Sequence, residues 1–505
     1  MLQNAAATVA GNVWAVVVGA VTLPLILRGL GAEAFGLWVL VQTFSALTGW
    51  LSLADLGLRV ALVREIAEPA STGDHARVAR VTTTGLALFA LIGIIAGAAL
   101  ATLGPTLLPI VFDPAPSLRP ALEFAIVCYA IQAAIELALA GGQAVLEGLQ
   151  RVDRARAVQA LRQTAIGVAT AVVAIQTGSL RAVAVASLLA TIGSLLVAGF
   201  AVRATSRIAL RAPSARIAGA LLRYGTQVGL VNATGVVHRT MDRWIVGATF
   251  GPAPVALVEI ATQVQNGAQA VLTAASYSTT AAAPWLRARA DPGRLRELLV
   301  RGTRLSVLLT VPAVVVATVL AGPIVDVWMG VRFGEAAGLT AVAALSVAFA
   351  APLQVGSLLL QGIGRATDVL RAAASAVVVN LGLSLVLVRV TGVIGVFQAT
   401  LAGSVVLALP LARAALRATA TRFDDFVREA LRPAMLPAAA ATTGAAVGLL
   451  APTPLTRLAL GTCLAVGLWS VSAWRFALTS EDRAHLRDAG VSGRRSRRRC
   501  EPSSP

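Results

Sequence analysis

His238, Arg239, Asp242 and Arg243 occur together inside an otherwise apolar stretch, residues 224–250. A charge at the centre of a hydrocarbon layer costs about 2.5–3.5 kcal/mol on insertion scales, so such side chains are held against water, a partner or a ligand. Asn232, Arg239 and Arg243 follow at i, i+7 and i+11 and share one helix face. Asp242 stands three residues after Arg239 and four after His238, within pairing reach of both. Two readings are open: a self-neutralised Arg239–Asp242 pair, or the charged lining of a hydrated cavity. With the pair made, one arginine of this helix is still left over. Guanidinium groups bind phosphate oxygens through two parallel hydrogen bonds, so a phosphate-bearing ligand suits this face.

Two further stripes repeat the pattern. Glu136 shares a helix face with Gln132 and Gln143, and Glu259 does so with Gln263 and Asn266. Asn380 and Ser384 lie one turn apart farther on. Each stripe alone serves interhelical hydrogen bonding as well as it serves a cavity. Three on three helices imply a hydrated centre of mixed charge. Asp242, Glu136, Glu259 and Asn380 are the groups there suited to a coupling cation, a proton or sodium. Enzymatic constellations are not found: His75, His238 and His485 are scattered, and neither HExxH nor a P-loop occurs. Cys128, Cys463 and Cys500 have no paired spacing, so no metal site, cofactor or disulfide is expected. Asp424 and Asp425 read as the solvated face of an amphipathic helix.

The elements that must hold these residues are fourteen apolar stretches, approximately 5–27, 35–57, 82–104, 121–148, 157–177, 182–202, 224–250, 254–275, 303–325, 337–361, 372–388, 392–412, 434–451 and 458–474. Most reach the roughly 20 residues that cross a ~30 Å hydrocarbon layer. With 57% hydrophobic residues and a mean hydropathy of +0.78, an ordinary soluble domain is excluded. All 42 basic residues are arginine. The gaps facing one side hold most of them and the opposite gaps hold six, the bias of a membrane protein whose arginine-rich loops stay in the cytoplasm. That bias accounts for the net charge of +18 without nucleic acid. Both termini are then cytoplasmic, the first stretch is a retained helix, and Arg494, Arg495, Arg497, Arg498 and Arg499 lie against anionic membrane lipids. The absence of lysine points to a GC-rich bacterial genome.

A weak repeat organises the chain. Leu146, Gly148 and Arg151 recur as Leu360, Gly362 and Arg365, and Thr177–Gly178 recurs as Thr391–Gly392, all 214 residues apart. Gly31 and Leu37 recur as Gly251 and Leu257, 220 apart. Two six-helix halves in the same orientation fit this spacing, an arrangement used by transporters. The expected fold is an all-α polytopic membrane protein with about 14 transmembrane helices. Its parts are a first lobe over 1–210, a second over 211–420, two additional helices over 421–478 and a basic cytoplasmic tail over 479–505.

The run Leu30-Gly31-Ala32-Glu33-Ala34-Phe35-Gly36-Leu37-Trp38, followed by Asp55-Leu56-Gly57-Leu58, Arg59, Arg64 and Glu65, resembles the amino-terminal pattern of Wzx-type O-antigen and exopolysaccharide flippases. Asp242-Arg243-Trp244-Ile245-Val246-Gly247 is similar to that family's seventh-helix ending. These proteins share the MOP superfamily with MATE multidrug extruders and the lipid II flippase. The resemblance implies two lobes around a central cavity, alternating access, and transfer of polyprenyl-diphosphate-linked glycan to the outer leaflet of the bacterial cytoplasmic membrane. On it, Arg239, Arg243, His238, Asn232 and Gln263 are substrate-binding candidates. Gly31, Gly36, Asp55, Gly57, Arg59 and Arg64 are gating candidates, with simple topological anchoring the competing role for Asp55, Arg59 and Arg64. The two extra helices would flank a groove for the lipid tail, and a glycan polymerase or ligase would be a partner. The alternative is a MATE-type cation-coupled multidrug exporter, for which Glu136, Asp242 and Glu259 would bind the drug.

Overall fold

The computed structural model describes the backbone of residues 2–55, 57–205, 211–288, 292–479 and 483, and the side chains of all these except 2–9, 204–205, 227–228, 230–232, 277–288 and 292. The basic tail, His485, Cys500 and Leu56 lie outside the described residues, as does the side chain of Asn232. Among the described residues every regular element is helical. The helices before residue 210, here called the first lobe, are α1 (Leu2–Leu30), α2 (Ala32–Gln42), α3 (Leu58–Ser71), α4 (His75–Phe112), α5 (Arg119–Gly148), α6 (Val152–Thr177) and α7 (Leu180–Thr205). The second comprises α8 (Ala215–Phe250), α9 (Val255–Ala288), α10 (Pro292–Val319), α11 (Ala321–Trp328), α12 (Ala336–Gly362), α13 (Ala366–Thr391) and α14 (Ile394–Ala418). A one-turn α15 (Phe423–Phe426) leads into a hairpin of α16 (Arg432–Gly448) and α17 (Pro454–Ser472).

Ten described helices are long and apolar enough to cross a membrane. The remaining four apolar stretches are α8 and α9, which carry two of the three polar stripes, the 17-residue α16, and the second stretch. That second stretch is not one helix. α2 stops at Gln42, the chain turns, a 3₁₀ segment runs from Trp50 to Asp55, and α3 takes up at Leu58, where the sequence suggested a loop. Short hydroxyl side chains compete with the helix for backbone partners here. Thr43 Oγ1 donates to the Leu40 carbonyl at 2.6 Å, Ser52 Oγ to Gly49 O at 2.6 Å, and the Trp50 amide to Thr43 O at 2.8 Å.

The repeat is visible in the helix ends. α1 and α8 both stop one residue before a glycine in the left-handed region, Gly31 at φ 77° and Gly251 at φ 80°. α6 and α13 each have 26 residues and are followed by Gly178 and Gly392, at φ 59° and 76°. The packing repeats as well: α1 lies on α6 as α8 lies on α13, α4 on α5 as α10 on α12, and α5 on α7 as α12 on α14. Small residues set these approaches. Cβ atoms placed on Gly93 and Gly97 of α4 would come within 2.8 and 2.7 Å of the Ala134 and Ala130 carbonyl oxygens of α5. In the hairpin, Gly448 of α16 meets the backbone of Gly461 of α17, and Gly461 in turn receives Leu320.

The lobes meet at both ends. On the arginine-poor side, Gly36 abuts the Pro252 carbonyl and Gly247 abuts Leu40 and Phe112. The Trp244 indole N–H donates to Thr43 Oγ1 at 2.8 Å, and its ring meets Phe112, Phe44 and Trp50 edge-on at 5.1, 5.5 and 6.0 Å. Nearby, the Trp328 indole donates to Ala20 O at 2.6 Å. On the arginine-rich side, Gly57, at φ 73°, touches the Gly225 carbonyl, and the Arg64 guanidinium sits 4.6 Å over the Tyr224 ring.

Candidate functional site

Between these contacts lies a cavity of about 630 Å³, bounded by the end of α2, the turn after it, α8, α9 and α14. His238, Arg239, Asp242, Arg243, Glu259 and Asn266 all line it. Four come from α8, an unbroken helix on which positions 238, 239, 242 and 243 share one face. Glu259 and Asn266 come from α9, which runs back after the Gly251 turn.

The pairing differs from the Arg239–Asp242 arrangement the spacing allows. Arg243 Nε donates to Glu259 Oε2 at 2.7 Å, and its Nη1 donates to the Arg239 carbonyl at 2.5 Å. Asp242 instead accepts from Thr400 Oγ1 at 3.2 Å, and Thr400 accepts from Asn380 Nδ2 at 2.9 Å. This chain of three leaves Asp242 Oδ1 buried without a hydrogen-bond partner among the described residues, as is the hydroxyl of Ser384 on the same helix as Asn380. The Arg239 guanidinium has neither an ion pair nor a hydrogen bond to the described residues. The leftover cation of α8 is therefore Arg239, not Arg243. Both Arg239 and His238 are exposed to the void.

Glu136 lies in a different environment. It is 2% exposed and accepts from Arg162 Nη1 at 2.9 Å, Gln132 Nε2 at 3.3 Å, Ser45 Oγ at 3.0 Å and the Ala46 amide at 3.1 Å. Its carboxylate thereby caps the backbone where the second stretch breaks. Gln132 also accepts from Ser187 at 2.8 Å, while buried Gln143 has no partner for its amide nitrogen among the described residues. Sequence reasoning missed Arg162, which lies six residues inside the fifth apolar stretch; an interior arginine was the signal. Glu136, Arg162 and Gln263 line a second, smaller cavity of about 310 Å³. Gln263 donates to the Val16 carbonyl at 3.1 Å and so ties α9 to α1.

The amino-terminal motif residues sit at the two lobe contacts rather than in the cavity. Gly31 and Gly36 flank the start of α2 on the arginine-poor side. On the other side, Asp55 Oδ1 accepts the Gly57 amide at 2.6 Å, and Arg59 pairs with Glu147 at 2.7 Å.

The sequence pattern of the polysaccharide biosynthesis protein family matches residues 25–338, which include both motifs and all of the cavity's charged residues. The chain belongs to that family. No curated protein matches it. Among solved structures, the lipid II flippase MurJ in an inward closed conformation superposes with a TM-score of 0.73 at 12% identity, covering 94% of this chain and 99% of that one. An inward-facing multidrug resistance MATE transporter of the MOP superfamily gives 0.70 at 18%, covering 81% and 95%. A MOP superfamily transporter from Pyrococcus furiosus, described as having a binding pocket of reverse polarity, gives 0.56 at 17%, covering 83% and 96%. At these identities the likeness establishes the fold. This member of the polysaccharide biosynthesis family is a multi-pass membrane protein that shares the fold of these structures.

Proposed function

We propose that this protein moves a polyprenyl-diphosphate-linked glycan across the bacterial cytoplasmic membrane by alternating access of its two lobes, for surface polysaccharide assembly. One observation carries the reading: a guanidinium, Arg239, unpaired among the described residues, in a large cavity between two lobes of a polysaccharide biosynthesis protein. In this cavity, Arg239 supplies two parallel hydrogen bonds to a diphosphate, with His238 beside it. Arg243, held by Glu259, fixes the local geometry and adds positive field. The arginine-rich face is cytoplasmic, as are both termini. The hairpin of α16 and α17 gives the lipid tail a surface outside the lobes, and glycan-assembly enzymes supply and consume the cargo on the two sides.

Asp242, linked through Thr400 to Asn380, is the coupling group in this reading. A buried carboxylate with a vacant oxygen takes a proton or sodium, and doing so alters the charge next to Arg239. Glu136 already holds four donors and acts as a structural clamp. The same vacant carboxylate supports a second reading, export of cationic drugs.

The test is a deletion strain complemented with wild type, Arg239→Ala or Glu136→Gln. Wild type restores surface polysaccharide; Arg239→Ala reaches the membrane yet leaves lipid-linked glycan accumulated and the surface depleted. Full restoration by Arg239→Ala sinks the site assignment. Normal lipid-linked and surface glycan in the deletion strain, with raised sensitivity to cationic drugs, selects the second reading.

A further inference from the structure

The smaller cavity adjoins the charged one: Val39, Gln42, Thr48 and Glu259 line both. Its chemistry is different. Its own charges, Arg162 and Glu136, cancel each other at 2.9 Å, and Glu259 at the border is held by Arg243 at 2.7 Å. An ion entering this space finds no counter-charge, and an uncompensated ion away from water is costly. A neutral, hydroxyl-rich group meets no such cost.

The wall also separates into satisfied and available groups. Ser45, Gln132, Ser187, Glu136 and Arg162 bond to one another, with Arg162 Nε alone of this set buried without a partner among the described residues. Gln42, Thr48 and Gln163 face the void and make no side-chain hydrogen bond to the described residues, though each amide offers two donors and an acceptor. Phe35 and Trp38, on the same face of α2 as Gln42, and Tyr129 also border it, all three buried, with the Trp38 and Tyr129 rings edge-to-face at 6.3 Å. The Trp38 indole N–H is buried without a partner among the described residues. Neutral amides and a hydroxyl set in an apolar, aromatic-rich wall suit a pyranose ring, which carries hydroxyls around its rim and C–H groups on its faces.

We infer that this compartment, formed by α1, α2 and the turn after it, α5, α6 and α7 of the first lobe and bordered by α9 of the second, binds the sugar nearest the diphosphate, with Gln42, Thr48 and Gln163 as its selectivity residues. The inference rests on the reading of Arg239 as the diphosphate contact. Cargo recognition is then split: a phosphate contact on the second lobe that is indifferent to the glycan, and a neutral pocket on the first that reads it.

The test measures binding of purified full-length protein in nanodiscs to undecaprenyl diphosphate, bare or carrying one glucose, galactose, N-acetylglucosamine or N-acetylgalactosamine. At least one sugar is expected to tighten binding about tenfold over the bare carrier, the size of one or two net hydrogen bonds. That ratio collapses toward one in Gln163→Leu and in Thr48→Val, whereas Arg239→Ala weakens bare and glycosylated carrier alike. Using the ratio guards against a poorly folded variant, which loses both ligands together. If the bare carrier binds through Arg239 and no sugar adds affinity, or if the ratio survives both substitutions, the sugar compartment is wrong and the diphosphate reading stands. If Arg239→Ala leaves bare-carrier binding intact, the diphosphate reading fails and takes this inference with it.

Discussion

Replacing Arg162 with alanine isolates the energetics of the first lobe. The Glu136 carboxylate, 2% exposed, accepts four hydrogen bonds, of which Arg162 supplies the one from a full positive charge among the described residues. Removing one partner of a buried ion pair leaves an uncompensated charge and costs about 3–5 kcal/mol. Three neutral donors remain on Glu136, so the lower half of that range is expected, about 3–4 kcal/mol. Adding Glu136→Gln to Arg162→Ala removes the stranded charge and keeps the shape. The double variant should recover about 2 kcal/mol, a coupling typical of residues in direct contact. Denaturant-induced unfolding of the four proteins in detergent micelles, followed by circular dichroism, gives the complete cycle. Loss of under about 1 kcal/mol in Arg162→Ala, the scale of an ordinary surface change, would refute the clamp. So would a double variant no more stable than Arg162→Ala.

Three more outcomes follow from close approaches and the vacant carboxylate. Gly36→Val cannot coexist with the Pro252 carbonyl at the arginine-poor contact; it should force the lobes apart there, raising reactivity of a cysteine introduced at Thr48 toward an impermeant maleimide in intact cells. Gly97→Leu overpacks the α4–α5 seam against the Ala130 carbonyl and should destabilise the protein by about 1–3 kcal/mol or more, read as a lower midpoint in the same unfolding assay. Asp242→Asn keeps the hydrogen bond with Thr400 while removing the charge, so transport should lose its dependence on the ion gradient yet the protein should bind undecaprenyl diphosphate; unaltered gradient dependence would remove Asp242 from coupling.

Hydropathy made the spans legible because length and apolar content are local properties of a segment crossing lipid. The repeat was legible for a related reason: glycines that end helices occupy left-handed backbone, and Gly31 with Gly251 and Gly178 with Gly392 mark equivalent turns. The convergence of His238, Arg239, Asp242 and Arg243 with Glu259 followed from helix-face spacing. The partners did not. Arg243 reaches Glu259 only because the chain reverses at Gly251, and Asp242 finds Thr400 from 158 residues away. Averaging hydropathy over a window hid Arg162 among alanine, isoleucine and valine. It also passed over the break after Gln42, because Thr, Ser and Gly interrupt a helix through hydrogen bonding and flexibility without lowering apolar content enough to end a span.

Both intramembrane ion pairs have a further property in common. Glu136 and Arg162 belong to α5 and α6, and Arg243 and Glu259 to α8 and α9, so each pair joins two helices consecutive in the chain. Each can therefore form within a helical hairpin before the lobes meet. A newly made hairpin could leave the insertion machinery already neutral, escaping most of the cost that a solitary charged helix would meet in lipid. Arg239 and Asp242 have no such partner across their own hairpin among the described residues, and Asp242 finds Thr400 only when α14 packs beside α8. The order of biogenesis would then separate the charges that build the protein from those left for its cargo.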